Sequence, residues 1–202
     1  MNAEVFWNVI GEYNQSTLWI QIIIIVCLLI GIILSYRTKY SYLAKLTLGI
    51  TNFYIGIVFF AIFGTQPIQR FFALPLFLLA GALFIYEAYK NKNDKLTKPG
   101  VMQIILFVMY LLYPFVSIGL GNEFPKMVTH VMPCPIISLS IATYAGYSKK
   151  NKVLLTVLTI WGLTGVKSII FSAYEDIILL ICGIYGVYLL IKEVRSYQFK
   201  GL

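Results

Sequence analysis

The sequence predicts an all-α protein, a polytopic membrane helix bundle of about seven transmembrane helices. Three observations lead to this fold class. Of the 202 residues, 59% are hydrophobic and only 12% are charged, whereas ordinary soluble domains carry roughly 25% charged residues. The apolar residues form runs close to the length of about 20 residues that a helix needs to cross a bilayer. The basic residues collect in the short segments between these runs. A soluble protein is therefore excluded, since too little polar surface remains to cover it.

Seven apolar runs, each bounded by charged residues, prolines or glycines, predict the spans in chain order. Prolines interrupt three of them, at Pro75 in the third, at Pro114 in the fourth, and at Pro133 and Pro135 in the fifth. Such prolines are tolerated in membrane helices where neighbouring groups satisfy the freed carbonyls. The fifth span is accordingly expected to be a broken helix. The predicted spans are 17–36, 43–64, 70–90, 100–120, 127–147, 153–172 and 175–193.

The distribution of Lys and Arg predicts the orientation. Most of the 16 basic residues fall in alternate loops and in the C-terminal tail, and such loops face the cytoplasm. The acidic pair Glu175 and Asp176 falls on the opposite side, where Arg70 and Lys126 are the basic residues. The N-terminus is therefore expected outside and the C-terminus inside. The basic residues assigned to the cytoplasmic side are Arg37, Lys39, Lys45, Lys90, Lys92, Lys95, Lys98, Lys149, Lys150, Lys152, Lys192, Arg195 and Lys200.

The residues before the first span predict a short amphipathic helix on the outer membrane interface. Val9, Ile10 and Tyr13 follow helical spacing, with polar residues between them, which is typical of an interfacial helix. The expected organisation is an outer interfacial segment at 1–16, a seven-span membrane domain at 17–194 and a cytoplasmic tail at 195–202.

Neutral polar residues in the second and fifth spans predict the lining of a cavity. Broken helices near the bilayer midplane expose backbone groups to substrates in secondary transporters. Amides and hydroxyls without charge suit a small neutral solute, or they form hydrogen bonds between helices. The candidate cavity residues are Thr51, Asn52, Tyr54, Pro133, Cys134, Pro135 and Ser138.

The fifth span also predicts a soft-metal site. On a helix, His130 and Cys134 lie four residues apart on one face, and Met127 precedes His130 by three. Thioether, thiolate and imidazole groups together favour Cu(I) or another soft metal. The alternative is that His130 lies at the outer interface and the hydroxyl groups nearby repair the backbone.

Other features weigh against an enzyme. His130 is the only histidine, and no carboxylate within a span could orient it as a general base. Lys167 lies inside the sixth span, where it can reach the outer interface or pair with Glu175 or Asp176 across the turn. No cofactor is expected. The expected partners are the bilayer, anionic lipids at the basic loops, and a small solute or soft metal ion. Nucleic acid is excluded, because the basic residues form loop clusters rather than one basic face.

Several segments resemble the DUF6064 family, bacterial integral membrane proteins of unknown function. The resemblance would cover nearly the whole chain, and it implies a membrane fold and draws attention to Cys134 without implying an activity. Val131 with Met132, and Lys167, depart from the family's pattern. The segments that carry the resemblance are Phe6-Trp7, Glu12-Tyr13-Asn14, Trp19-Ile20-Gln21, Met132-Pro133-Cys134-Pro135, Trp161-Gly162 and Glu175-Asp176.

Three functions remain open from the sequence. The first is a small-solute transporter or permease in a bacterial plasma membrane, which is favoured because compact polytopic proteins without catalytic groups are most often carriers. The second is a soft-metal binding protein that uses His130 and Cys134. The third is a membrane scaffold or sensor whose basic loops meet anionic lipid or a partner protein.

Overall fold

The computed structural model describes residues 3–37, 39–168 and 172–198. It is an all-α bundle of seven helices, and 80% of the chain is helical with no strand among the described residues. The all-α helical bundle expected from the sequence is confirmed. The helices are α1 (Ala3–Arg37), α2 (Tyr42–Tyr54, continued by a wider π-helical section Ile55–Ile62), α3 (a π-helical section Gln69–Ala73, then Leu74–Lys90), α4 (Val101–Gly119), α5 (Pro133–Ala145), α6 (Lys152–Leu163, then a 3-10 turn Thr164–Lys167) and α7 (a 3-10 turn Tyr174–Asp176, then Ile177–Gln198).

Each predicted span corresponds to one of these helices. Five helical segments are long and apolar enough to cross a membrane, namely Glu4–Arg37, Tyr42–Ile62, Gln69–Lys90, Val101–Gly119 and Tyr174–Arg195. Many large apolar side chains on the outer surface are exposed, including Ile23 and Phe115. Exposed apolar surface of that extent is unfavourable in water and fits a hydrocarbon solvent. The predicted sixth span reaches into residues 169–171, which lie outside the described part of the chain.

The helices run alternately between two ends of the bundle. One end, here called the basic end, holds the described loops 39–41, 91–100 and 146–151. The other, called the pocket end, holds the N-terminus of α1 and the loops 63–68 and 120–132, together with the described part of the α6–α7 connection.

Helix α1 differs from the expected segmentation. The described part of the predicted interfacial segment 1–16 and the first span form one continuous helix, Ala3–Arg37, with Thr17 and Gln21 both helical. At 1.5 Å per residue this helix is about 52 Å long, which exceeds the roughly 30 Å hydrocarbon layer. Its first turns bury Val9, Ile10 and Tyr13 inside the bundle. The segment is thus helical as expected, but it is part of α1 rather than a separate helix.

Helix α5 starts six residues later than predicted and is not broken. Pro133 and Pro135 occupy its first turn, where a missing backbone N–H costs nothing because that donor has no helical partner. The prediction of a proline-broken helix at 127–147 is therefore wrong. Residues 120–132 form an irregular loop instead, and α5 itself is only 13 residues long.

The loop 120–132 is held by side chains of α1 and α4. The Tyr13 hydroxyl donates to the Val131 carbonyl at 2.6 Å. The Asn14 amide donates to the carbonyls of Pro125 and Met127, each at 2.8 Å. These bonds satisfy backbone groups that have no helical partner, as buried backbone requires. The loop is therefore fixed against the bundle at the pocket end.

Candidate functional site

A cavity of about 140 Å³ lies at the pocket end, between α1, α2, α3, α5, α6 and α7. Its size is close to that of a roughly 150 Å³ engineered cavity that binds benzene. Exposed residues at its rim include Ile68, Phe72 and Lys167. The walls are mostly aromatic and apolar, with a few polar groups, which is the usual composition of a small-molecule pocket. The lining residues are Phe6, Phe59, Phe60, Ile68, Gln69, Phe72, Ala73, Val128, Met132, Pro133, Cys134, Pro135, Trp161, Thr164, Lys167 and Asp176.

The polar part of the wall is formed by Cys134 and Asp176. The Cys134 thiol donates to Asp176 Oδ2 at 3.2 Å. The second oxygen, Oδ1, is buried and has no hydrogen-bond partner. Because a thiol is a weak donor, this carboxyl group is poorly satisfied by the protein itself.

A second acidic residue lies beside it. Glu175 is buried, and its Oε1 accepts a hydrogen bond of 2.8 Å from the Ser117 hydroxyl, while its Oε2 has no partner. Ser117 also accepts from the Val128 backbone N–H at 3.0 Å. The two acids expected in an outer loop thus lie within the bundle, and one of them faces the cavity.

Trp161 forms the aromatic wall next to these groups. Its ring stacks on Phe72 at 6.4 Å and meets Phe60 and Phe77 edge-on at 5.5 and 4.9 Å. The indole lies beside the Cys134 thiol, and its Nε1 is a buried donor without a partner. The wall therefore combines π-faces with polar atoms that the protein leaves unsatisfied.

Glycines bring this wall and the carboxyl group together. A Cβ at Gly162 would lie 2.6 Å from the Cα of Gly183, and one at Gly165 would lie 2.7 Å from the Asp176 carbonyl oxygen. Helices α6 and α7 can approach this closely only because neither glycine carries a side chain. Helices α6 and α7 are therefore in backbone contact at these glycines.

A separate ionic cluster closes the basic end. The Lys45 ammonium lies 3.7 Å from both Glu87 Oε2 and Asp94 Oδ2, and all three side chains are buried. The Tyr147 hydroxyl donates to the Ser41 carbonyl, and burial raises the pKa of Tyr147. This cluster ties α2 and α3 to the loops at 91–100 and 146–151.

Further hydrogen bonds complete that cluster. The Asn151 amide donates to Glu87 Oε1 at 3.2 Å, and the Ser148 hydroxyl donates to Asp94 Oδ1. The Ser41 hydroxyl donates to the Asp94 carbonyl at 2.6 Å. Lys45, assigned from the sequence to a cytoplasmic loop, is instead the buried centre of the cluster.

The structure brings only part of the predicted cavity lining together. Pro133, Cys134 and Pro135 line the pocket. The predicted residues of the second span do not, and two of them bond to their own helix: Thr51 donates to the Thr47 carbonyl and Asn52 to the Leu48 carbonyl. The remaining members of the prediction, Tyr54 and Ser138, lie outside the lining as well.

The helical geometry behind the predicted metal site is wrong. Met127 and His130 lie in the irregular loop, whereas Cys134 lies on α5, so the three share no helix face. His130 Nε2 lies 3.3 Å from the Leu111 carbonyl, and its ring packs on Tyr110 at 5.1 Å. Burial lowers the pKa of His130 from its usual 6.5. Within the described residues, no group of three or more His, Cys, Asp or Glu side chains is placed to hold a metal ion.

Sequence reasoning missed Asp176 and Trp161 as site residues. Asp176 directly precedes the apolar run of the last span. A charged residue at that position usually belongs to a loop, so the sequence predicts a loop there. A signal was present, because neither acid of the pair 175–176 has a basic residue within four positions along the chain. Lys167, the partner proposed for these acids, is exposed at the cavity rim and forms no ion pair with either.

The fold and the cavity define a helical-bundle protein with segments apolar enough to cross a membrane. The chain belongs to DUF6064, a family of unknown function that matches residues 3–200, which confirms the resemblance described above. No curated protein and no solved structure matches the chain.

The segments that carry the family resemblance meet around the pocket end. Tyr13 and Asn14 hold the loop before α5, while Cys134 contacts Asp176. Trp161 lies beside Cys134. Residues far apart in sequence are thus joined in one region, which makes this cavity the candidate functional site.

Proposed function

We propose that the protein is a small-solute permease that crosses a bacterial plasma membrane seven times, with its N-terminus outside and its C-terminus in the cytoplasm. The observation that carries this proposal is the contrast between the two ends. The cavity lies at the pocket end with exposed residues on its rim, whereas the buried cluster around Lys45 closes the basic end. An alternating-access carrier needs such an asymmetry between its two ends.

The basic end supports the proposed orientation. Exposed lysines such as Lys92, Lys95 and Lys98 surround the buried cluster there. Positive loops of this kind are retained on the cytoplasmic side and attract anionic lipids. The cavity then faces the outside in the conformation described here.

Thiol labelling from the two sides of the membrane tests the permease. The test protein carries Cys27→Ser and Cys182→Ser, so that Cys134 is the only thiol, and a membrane-impermeant methanethiosulfonate is applied to right-side-out and inside-out vesicles. We expect fast labelling of Cys134 from the outside and slower labelling from the inside, because a carrier opens its cavity to each side in turn. The matched control retains only Cys182, which is buried in the core and should not react.

Each result of this experiment has a defined meaning. Access to Cys134 from both sides supports a carrier. Access from the outside alone contradicts transport and indicates a receptor or sensor. An unreactive Cys134 rejects the cavity as a solute site.

The number and orientation of the spans are tested separately with single cysteines. In a cysteine-free background, Glu123→Cys in the loop 120–132 should react from outside, and Lys95→Cys in the loop 91–100 should react from inside. Both native residues are exposed, so neither change disturbs packing. The reverse pattern would invert the topology, and reaction of both from one side would reject the proposed span count.

A further inference from the structure

We propose that the pocket binds a small organic cation of the quaternary-ammonium class, with Asp176 as the counter-charge and Phe60, Phe72 and Trp161 as the aromatic wall. This inference rests on the proposed permease function and names the substrate class of the same cavity. It is argued from three properties of the pocket: its charge, its walls and its hydrogen-bonding capacity.

The charge of the pocket is not balanced within the protein. Asp176 and Glu175 have no basic side chain within ion-pair distance, since the ion pairs among the described residues all lie at the basic end. Asp176 Oδ1 is a buried oxygen without any partner. A buried carboxyl group without a counter-charge is costly to ionise, and a cation entering the cavity would stabilise its ionised form.

The walls provide the second attraction for a cation. Aromatic rings carry negative π-faces that attract cations within about 6 Å of the ring centroid, and Trp is the strongest of them. Trp161, Phe60 and Phe72 line the same cavity as Asp176. Apolar ring surface together with one carboxylate matches the chemistry of a methylated ammonium group, which has an apolar methyl surface and a positive charge.

The third property distinguishes a quaternary ammonium from a primary amine. A primary ammonium group needs several acceptors for its N–H bonds. Gln69 Oε1, another acceptor of the lining, already accepts from the backbone N–H groups of Thr65 and Gln66, each at 2.9 Å. The unpartnered Trp161 Nε1 is a donor and cannot accept an N–H bond. A quaternary ammonium ion has no N–H bonds, so it leaves no donor without an acceptor in such a pocket.

The rim lysine does not cancel this preference. Lys167 lines the cavity but is exposed, so water and salt screen its charge. Removing the charge of Lys167 should therefore strengthen the binding of a cation at low ionic strength.

Three probes of nearly the same shape test the charge preference. They are choline, its neutral carbon analogue 3,3-dimethylbutan-1-ol, and the anionic 3,3-dimethylbutanoate, and their binding to the purified full chain in detergent is measured by calorimetry. We expect choline to bind about tenfold more tightly than the alcohol, which corresponds to about 1.4 kcal/mol. The carboxylate should show no binding. Equal affinity for choline and the alcohol would overturn the proposal.

Variants separate the roles of the two charges. Asp176→Asn should weaken choline binding about tenfold and leave the alcohol unchanged, whereas Glu123→Gln, an exposed acid at the same end, should change neither. Because Lys167 is exposed, we expect Lys167→Gln to fold normally. This variant provides a second test of the proposal if Asp176→Asn does not fold. Lys167→Gln should raise choline affinity about twofold at low salt, and a fall in affinity would contradict the proposal.

The failure of this proposal is distinguishable from that of the permease. If Cys134 is labelled from both sides but none of the three probes binds, the substrate class is wrong and the carrier stands. If Cys134 reacts from neither side, the permease is wrong, and binding of choline would then lack an access route.

Discussion

The Lys45 ammonium lies 4.2 Å from the centroid of the Tyr147 ring, with Glu87 and Asp94 on its other sides. One cation is thus shared by two carboxylates and a π-face at the basic end. Glu87 and Asp94 lie 42 and 49 positions after Lys45 in the sequence, so the cluster joins α2 to α3 and to the loop 91–100.

Removing the central cation should destabilise the bundle strongly. Lys45→Met leaves Glu87 and Asp94 buried without their counter-charge, and breaking a buried ion pair in this way costs about 3–5 kcal/mol. We expect a clear fall in the thermal unfolding midpoint of the detergent-solubilised protein. The control Lys95→Met removes an exposed charge and should leave the midpoint nearly unchanged.

A compensated variant sharpens that test. Lys45→Met combined with Glu87→Gln and Asp94→Asn removes all three charges and should recover most of the lost stability. If the triple variant is as unstable as the single one, the loss comes from packing of the lysine stem rather than from unpaired charge.

The contact between α6 and α7 should tolerate no side chain at Gly162. A Cβ there would lie 2.6 Å from the Cα of Gly183, so Gly162→Ala forces the two backbones apart. Overpacking of this kind typically costs about 1–3 kcal/mol. Thermal unfolding of Gly162→Ala should show the loss, whereas Gly119→Ala, with nothing within 4 Å of its added Cβ, should not. Equal midpoints for the two variants would contradict the close approach.

The Asn14 amide should be essential for the loop 120–132. Asn14→Ala leaves the carbonyls of Pro125 and Met127 without their donor, and a buried group that loses its partner costs about 1–3 kcal/mol. We expect faster backbone hydrogen exchange in that loop together with lower stability. Asn8→Ala, an exposed amide on the same helix, is the matched control, and similar exchange in both variants would show that other contacts hold the loop.

His130 should make the stability depend on pH. Burial lowers its pKa from 6.5 in the folded protein, so between those two values the unfolded chain binds more protons than the folded chain. Stability therefore falls as the pH decreases below about 6.5 and levels off below the folded pKa.

Comparison with a variant isolates this contribution. Between about pH 7.5 and about pH 5.5, the unfolding midpoint of the native protein should fall further than that of His130→Gln, because the variant lacks the titrating ring. Parallel curves for the two proteins would contradict the burial of His130. The ring's own pKa can be followed by NMR in the same range.

The helices were predictable because each is a long apolar run with charged or glycine-rich ends, and these local features determine where a helix can lie. The start of α5 was not predictable in the same way. Residues 127–132 are as apolar as a span, and what keeps them irregular is a set of side chains on α1, more than 110 positions away in sequence. Pro133 was a local signal for a helix start that was interpreted as a break.

The candidate site was predictable only in part for a similar reason. The segment 133–135 stood out by composition and does line the cavity. Asp176 was assigned to a loop because a carboxylate next to an apolar run usually lies in water. Its burial depends on the glycine contact that draws α7 against α6, and that tertiary contact is not encoded by the residues next to Asp176.

That glycine contact also determines which parts of the pocket are held together. Because Gly162 and Gly183 pack backbone to backbone, the packing of α6 against α7 fixes the relative positions of Trp161 and Asp176. Cys134 belongs to α5, which carries no glycine in this contact. A displacement of α6 and α7 relative to α5 would therefore change the 3.2 Å separation of the Cys134 thiol and the Asp176 carboxylate, so this distance is the one to measure when a ligand is added.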